Sequence, residues 1–110
     1  MDETFSNVAP HLRHLLKDML QHLELKDRRY FGRMYRTCFK GKAAVKFMLN
    51  GRHANDITHA EDLGNELMSA GVLEHVCQSH PFRNKSLFYR FSFCRSIVAM
   101  EKDLDEEWKL

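Results

Sequence analysis

Val8, Leu12, Leu15, Leu16, Met19, Leu20 and Leu23 follow one another at steps of 4, 3, 1, 3, 1 and 3. This spacing lines up apolar side chains in one stripe along a helix of about four turns. Pro10 falls in its first turn, where a missing N–H costs nothing. The stripe predicts a helix that lends one face to a core. At "ELKDRRYFGRMYRTCF" the period changes. Leu25, Asp27, Arg29 and Phe31 would share one side of a strand, with Lys26, Arg28 and Tyr30 on the other. Gly32 takes a positive φ without strain, which predicts a hairpin arm reversing near "FGR".

"GKAAVKFMLN" then sets Ala44, Val45, Met48 and Leu49 at helical spacing, ending before Gly51. In "THAEDLGNELMSAGV", Thr58 and Glu61 have the spacing of a capping box. Ala60, Leu63, Leu67 and Ala70 form the face expected to be buried, and Gly71 stands where a helix-ending glycine belongs. "VLEHV" and "SLFYRFS" are strand-like runs. In the second, Leu87, Tyr89 and Phe91 alternate with Phe88 and Arg90, and "QSHPFRNK" between the runs reads as a loop. The order is helix, hairpin arm, helix, helix, closing hairpin. An α+β domain built this way resembles a winged helix.

At 110 residues, 44% hydrophobic and 29% charged, the chain has the make-up of one soluble domain with one modest core. No apolar run approaches the roughly 18 residues of a membrane span. The acidic opening "MDETFSNV" is unlike a signal peptide. Cys38, Cys77 and Cys94 are an odd set without a CxxC pair, so reduced thiols in a cytoplasmic setting are expected. The net charge of +2 conceals an imbalance: residues 1–55 carry 11 basic and 5 acidic side chains, residues 56–110 carry 6 and 10. Eight Lys and Arg fall within residues 26–49 against a single Asp, threaded with Tyr30, Phe31, Tyr35 and Phe39.

Catalysis has no support in the residues. There is no GxSxG elbow, phosphate-cradling glycine loop or HExxH. His59, Glu61 and Asp62 cluster at a helix start, where capping and the helix dipole account for the acids. His75 and Cys77 could share a strand face, but none of the seven histidines and three cysteines has the tight spacing of a zinc site. No catalytic residue, metal or cofactor is expected.

The anchors "LKDRR…Y..CFKGKAAVKFML", "AEDLGNELMSAGVLEHV" and "HPFRNKSLFYRF" fall in order over roughly residues 8–92. Together they resemble the DEP family, named in part for Dishevelled and pleckstrin. The resemblance implies a winged-helix-like DEP fold: a three-helix core, a β-hairpin arm between helices 1 and 2, and a short closing β-hairpin. It also implies that Phe39, Val45, Tyr89 and Phe91 are packing residues and Gly41 a backbone requirement. Many family members have an acidic residue and Trp after the "AV"; Lys46 and Phe47 stand here and add a positive charge. Residues 1–94 are expected to form the domain. Residues 95–110, with Ile97, Met100, Leu104 and Trp108, form a helical extension or the start of a further segment of a longer parent.

By resemblance, the domain is a non-catalytic signalling module in G-protein or small-GTPase signalling. It would bring its parent to membranes through anionic phospholipids, membrane-associated protein partners or both. The alternatives are a winged-helix nucleic-acid binder and a purely protein-binding or dimerising module. A DNA-reading third helix meets phosphates, yet here it carries Glu61, Asp62 and Glu66, with no Lys or Arg over residues 54–71. Nucleic acid is therefore not expected. An anionic leaflet would attract the basic stretch by about 1 kcal/mol per Lys or Arg, placing the protein at the membrane periphery. The proposed membrane- or partner-binding residues are Arg28, Arg29, Tyr30, Phe31, Arg33, Arg36, Lys40, Lys42 and Lys46. Tyr35 and Phe39 are expected to be buried, and Phe31 exposed near the tip.

Overall fold

A computed structural model describes residues 8–30 and 32–92, Tyr30 by its backbone alone. Helix α1 (Pro10–His22) opens on its proline and buries Leu12, Leu15, Leu16 and Met19. Val8 is buried beside them, and Leu20 and Leu23 pack at the margin. Strands β1 (Lys26–Tyr30) and β2 (Arg33–Lys40) form the arm, with Gly32 at φ +76° in the reversal. Helices α2 (Gly41–Asn50) and α3 (Ile57–Ser69) follow, then strands β3 (Leu73–His75) and β4 (Phe88–Phe91). The fold is α+β, with the element order expected from the periodicities. Leu16, Leu63 and Phe91 lie in one hydrophobic core. The expected C-terminal helix over Ile97, Met100, Leu104 and Trp108 lies outside the described residues.

The sequence predicts an arm and a closing hairpin but no link between them. β2 supplies the link. It pairs with β1 on one side and, through Phe39↔Tyr89 and Lys40↔Phe88, with β4 on the other. One antiparallel sheet results, in the order β1-β2-β4-β3. Its inner face is aromatic: the Phe39 ring lies 5.2 Å from Phe91 and 6.3 Å from Tyr89.

The start of α3 differs from expectation. Asp56, not Thr58, is the N-cap, and its Oδ1 accepts the His59 N–H at 2.7 Å. An aspartate one residue before the helix reaches the amide three positions on, which leaves Thr58 inside the first turn. The Glu61 carboxylate is engaged elsewhere, accepting the Asn84 N–H at 2.9 Å.

That contact belongs to a set that holds residues 81–84 against α3. Phe82 is fully buried although it sits in the segment read as a polar loop. Its N–H donates to Asn65 Oδ1 at 2.9 Å, and its carbonyl accepts from Asn65 Nδ2 at 3.2 Å. One amide side chain thus satisfies both backbone groups of a buried residue, which would otherwise cost about 1–3 kcal/mol each. The Tyr89 hydroxyl donates to the Pro81 carbonyl at 2.5 Å and accepts the Arg83 N–H at 3.1 Å.

Gly64 makes this docking possible: a Cβ there would collide with the Phe82 ring. In an open helix, Gly→Ala is stabilising by about 1 kcal/mol. Here the sign reverses. Gly64→Ala is expected to lower stability by about 1–3 kcal/mol, the range for overpacking a closed core, as measured by urea unfolding.

Candidate docking surface

The arm takes its shape from two irregularities. Its register slips between Lys26 and Arg28, so Lys26 pairs with Cys38 and Arg28 with Tyr35. Opposite the slip, Thr37 adopts φ +50°. Asp27, the arm's lone acid, accepts the Thr37 N–H at 3.0 Å and secures the bend. The strict alternation read from the sequence is therefore broken at Asp27 and holds only from Arg28 outward.

Beyond the bend, directly paired residues share a face. Arg29 pairs with Met34, Tyr30 with Arg33, and Arg28 with Tyr35. One face thus carries Arg29, Met34 and Arg36; the other carries Arg28, Arg33 and Tyr35.

The second face turns back onto the sheet at its root. The Arg28 guanidinium lies 5.7 Å from the centre of the Phe88 ring, and its Nε donates to the Cys38 carbonyl at 3.3 Å. The Tyr35 hydroxyl is 3.4 Å from Cys77 Sγ in the turn after β3. That hydrogen bond, with some burial, pushes the Tyr35 phenol above its ordinary value. Tyr35 is half-buried rather than buried as expected, because the bend at Thr37 lifts it from the core; Phe39, past the bend, is fully buried.

The structure divides the residues singled out from the sequence. Arg29, Arg33 and Arg36 are exposed on the arm, and Lys42 and Lys46 are exposed one turn apart on α2. Arg28 and Lys40 are half-buried at the arm's root. The side chains of Tyr30 and Phe31 lie outside the described residues. Among the described residues, no carboxylate forms an ion pair with Arg29, Arg33 or Arg36. Sequence reading missed Met34, which is 52% exposed on the face of Arg29 and Arg36. Its alternation with Tyr35 was the available signal.

Little else in the described residues suggests chemistry. No group of three His, Cys, Asp or Glu side chains is placed to hold a metal ion. Cys38 is buried and its thiol is pushed up by that burial. His75 is the buried polar residue of the closing turn, where its Nδ1 accepts the Cys77 N–H at 3.1 Å. No helix among the described residues is long and apolar enough to cross a membrane.

The pattern of the domain found in Dishevelled, Egl-10, and Pleckstrin (DEP) matches residues 22–91. The chain belongs to the DEP family. The domain is 37% identical over 71 residues to the vacuolar membrane-associated protein iml1 of Aspergillus clavatus, covering 64% of this chain and 4% of that protein. It is 32% identical over 80 residues to the protein of the same name from Coccidioides immitis, covering 72% and 4%. It is also 27% identical over 82 residues to the mouse phosphatidylinositol 3,4,5-trisphosphate-dependent Rac exchanger 1 protein, covering 74% and 5%. This DEP domain thus spans about a twentieth of the length of these relatives. DEP domains are generally non-catalytic modules of signalling proteins.

The two neighbouring arginines of β1 should separate in a stability assay. Arg28→Ala removes a cation–π contact and a hydrogen bond and should cost about 1 kcal/mol. Arg29→Ala, at an exposed position, should stay within about 0.5 kcal/mol. Urea unfolding of the two variants checks the contrast.

Proposed function

We propose that this DEP domain is a non-catalytic docking module that recruits its parent protein to anionic membrane surfaces through the hairpin arm, within G-protein or small-GTPase signalling. The supporting observation is exposed Arg29 and Arg36 flanking exposed Met34 on one face of the arm, with exposed Arg33 on the other. Pointing tip-first at an anionic leaflet, the narrow arm brings guanidinium groups of both faces near it, about 1 kcal/mol each, and exposed Met34 adds apolar area that can enter the headgroup boundary. Binding of that strength is reversible, as suits a signalling module at the cytoplasmic face. Lys42 and Lys46 extend the positive field along α2, with Lys40 at its root. The names of the relatives agree with this reading, since one is associated with the vacuolar membrane and another depends on a phosphoinositide.

A nucleic-acid role is disfavoured by the described surface. Asp62 and Glu66 are exposed on α3, the helix a winged helix would present to DNA, and they would meet phosphates with like charge. A membrane-associated protein partner would use the same arm, and the experiment separates the two.

Co-sedimentation with neutral vesicles and with vesicles containing phosphatidic acid or a phosphoinositide tests recruitment. The wild-type domain should bind the anionic vesicles, more weakly as salt rises. Replacing Arg29, Arg33 and Arg36 together with Glu should weaken binding by about a hundredfold or more while leaving the fold intact. Indifference of the wild-type domain to anionic lipid at low salt would overturn recruitment by lipid and make a protein partner the better reading.

A further inference from the structure

Beside the Arg28 contacts at its root, the arm meets the closing turn through a side-chain contact far along the chain. Tyr35, on the arm, meets Cys77 in the turn that follows β3. That turn is organised around an imidazole. His75 is 2% exposed, and its Nδ1 accepts the N–H of Cys77 at 3.1 Å and that of Ser79 at 3.5 Å. The His75 carbonyl accepts the Gln78 N–H at 2.9 Å, and Gln78 sits at φ +56°. The Val76 N–H donates to the Phe88 carbonyl at 3.1 Å, tying the turn to the strand whose ring carries Arg28.

An imidazole nitrogen that accepts two backbone N–H groups has no proton of its own, so neutral His75 carries its proton on Nε2. A second proton would go to Nδ1 and set N–H against N–H at both contacts. The turn that positions Cys77 would then lose the group it is built on.

We infer that the turn after β3 is a latch for the arm: neutral His75 holds Cys77 where the Tyr35 hydroxyl reaches it, and protonation of His75 releases the arm. The inference deepens the docking reading by naming a control on the same element, yet its test involves no lipid.

The surroundings set the direction. His80 faces His75 edge-on with ring centroids 4.8 Å apart, and the Tyr89 ring does so from β4 at 5.4 Å. From α3 come Asn65, Met68 and Ser69, none charged. Glu74, the residue before it in β3, lines the same cleft, with its carboxylate taken up by Arg90 at 3.4 Å and by Gln78 Nε2. Among the described residues no carboxylate pairs with the His75 ring. Burial, and then the nearby His80, lower the affinity of His75 for a proton below the ordinary histidine value of 6.5. Below that value the opened turn takes up a proton that the closed turn refuses, so the latch is closed above the window and weakens as pH falls through it.

Amide hydrogen exchange followed by NMR, corrected for the intrinsic rate at each pH, reads the arm directly. Protection across the β1–β2 pairs should fall about fivefold in the wild-type domain as pH is lowered from about 7.5 through the titration of His75, followed on its own ring nitrogens, the effect of losing one ordinary hydrogen bond. Tyr35→Phe should show the lower protection at both ends. His75→Asn, whose side-chain oxygen replaces the Nδ1 acceptor and does not titrate, should stay protected throughout. His80→Gln removes the neighbouring charge and should move the wild-type midpoint to higher pH. Where His75→Asn fails to fold, the wild-type His75 ring nitrogens, the Cys77 amide and the arm exchange should share one midpoint. Flat wild-type protection, full protection in Tyr35→Phe, a wild-type pH response in His75→Asn, or separate midpoints would each overturn the latch. A domain that ignores vesicles but titrates in this way would lose the recruitment reading alone.

Discussion

Two residue pairs, Phe39↔Tyr89 and Lys40↔Phe88, are the strand pairing that joins the arm to the rest of the sheet. Because this ladder is so short, the part of β2 before Phe39 stands away from β4 with β1 as its partner. A longer ladder would have laid the arginines flat along β4. The projecting arm follows from where that pairing stops, at Phe39, two residues from Thr37, whose positive φ takes the strand out of line.

Tyr89 makes so short a ladder sufficient. Its ring stands against Phe39, Phe82 and His75, and its hydroxyl binds both the Pro81 carbonyl and the Arg83 N–H. The strand, the loop before it and the closing turn therefore share one buried side chain. The first amides of α2 are drawn into the same region: the Gly41 N–H donates to the Leu87 carbonyl and the Lys42 N–H to the Lys85 carbonyl, each at 2.9 Å. A helix that lacks a side-chain cap at Lys40 finds its acceptors in a loop more than forty residues away.

The periodic parts of this fold were legible in the sequence. Helical spacing marked the buried faces of α1, α2 and α3, and alternation marked Tyr89 and Phe91, because one-sided burial imposes those periods. Gly32 was legible because a tight reversal needs its φ. What stayed hidden depends on partners distant along the chain. Phe82 is a core residue in a segment with loop composition, and only its docking onto Gly64 and Asn65 makes it one. Asp56 displaced the expected Thr58 cap because side-chain reach, not motif spacing, decides which residue closes the helix. In the candidate site, charge showed which stretch mattered but not how it divides. A one-residue slip at Asp27 turned Arg28 towards Phe88 and left Arg29 outward.

The order β1-β2-β4-β3 leaves β1 and β3 as the outer strands of the sheet. Unpaired backbone groups on an outer strand invite a strand from another molecule, and natural sheets blunt them with charge or brevity. β3 is three residues long. β1 reads Lys-Asp-Arg-Arg-Tyr, so a copy approaching in parallel register would bring Lys26, Arg28 and Arg29 against their own counterparts. The arginines that give the arm its field also keep that long, narrow hairpin from adding to itself. Neutralising them would remove the attraction to an anionic surface and at the same time uncover an adhesive edge, so loss of charge here leads towards aggregation as well as towards loss of docking.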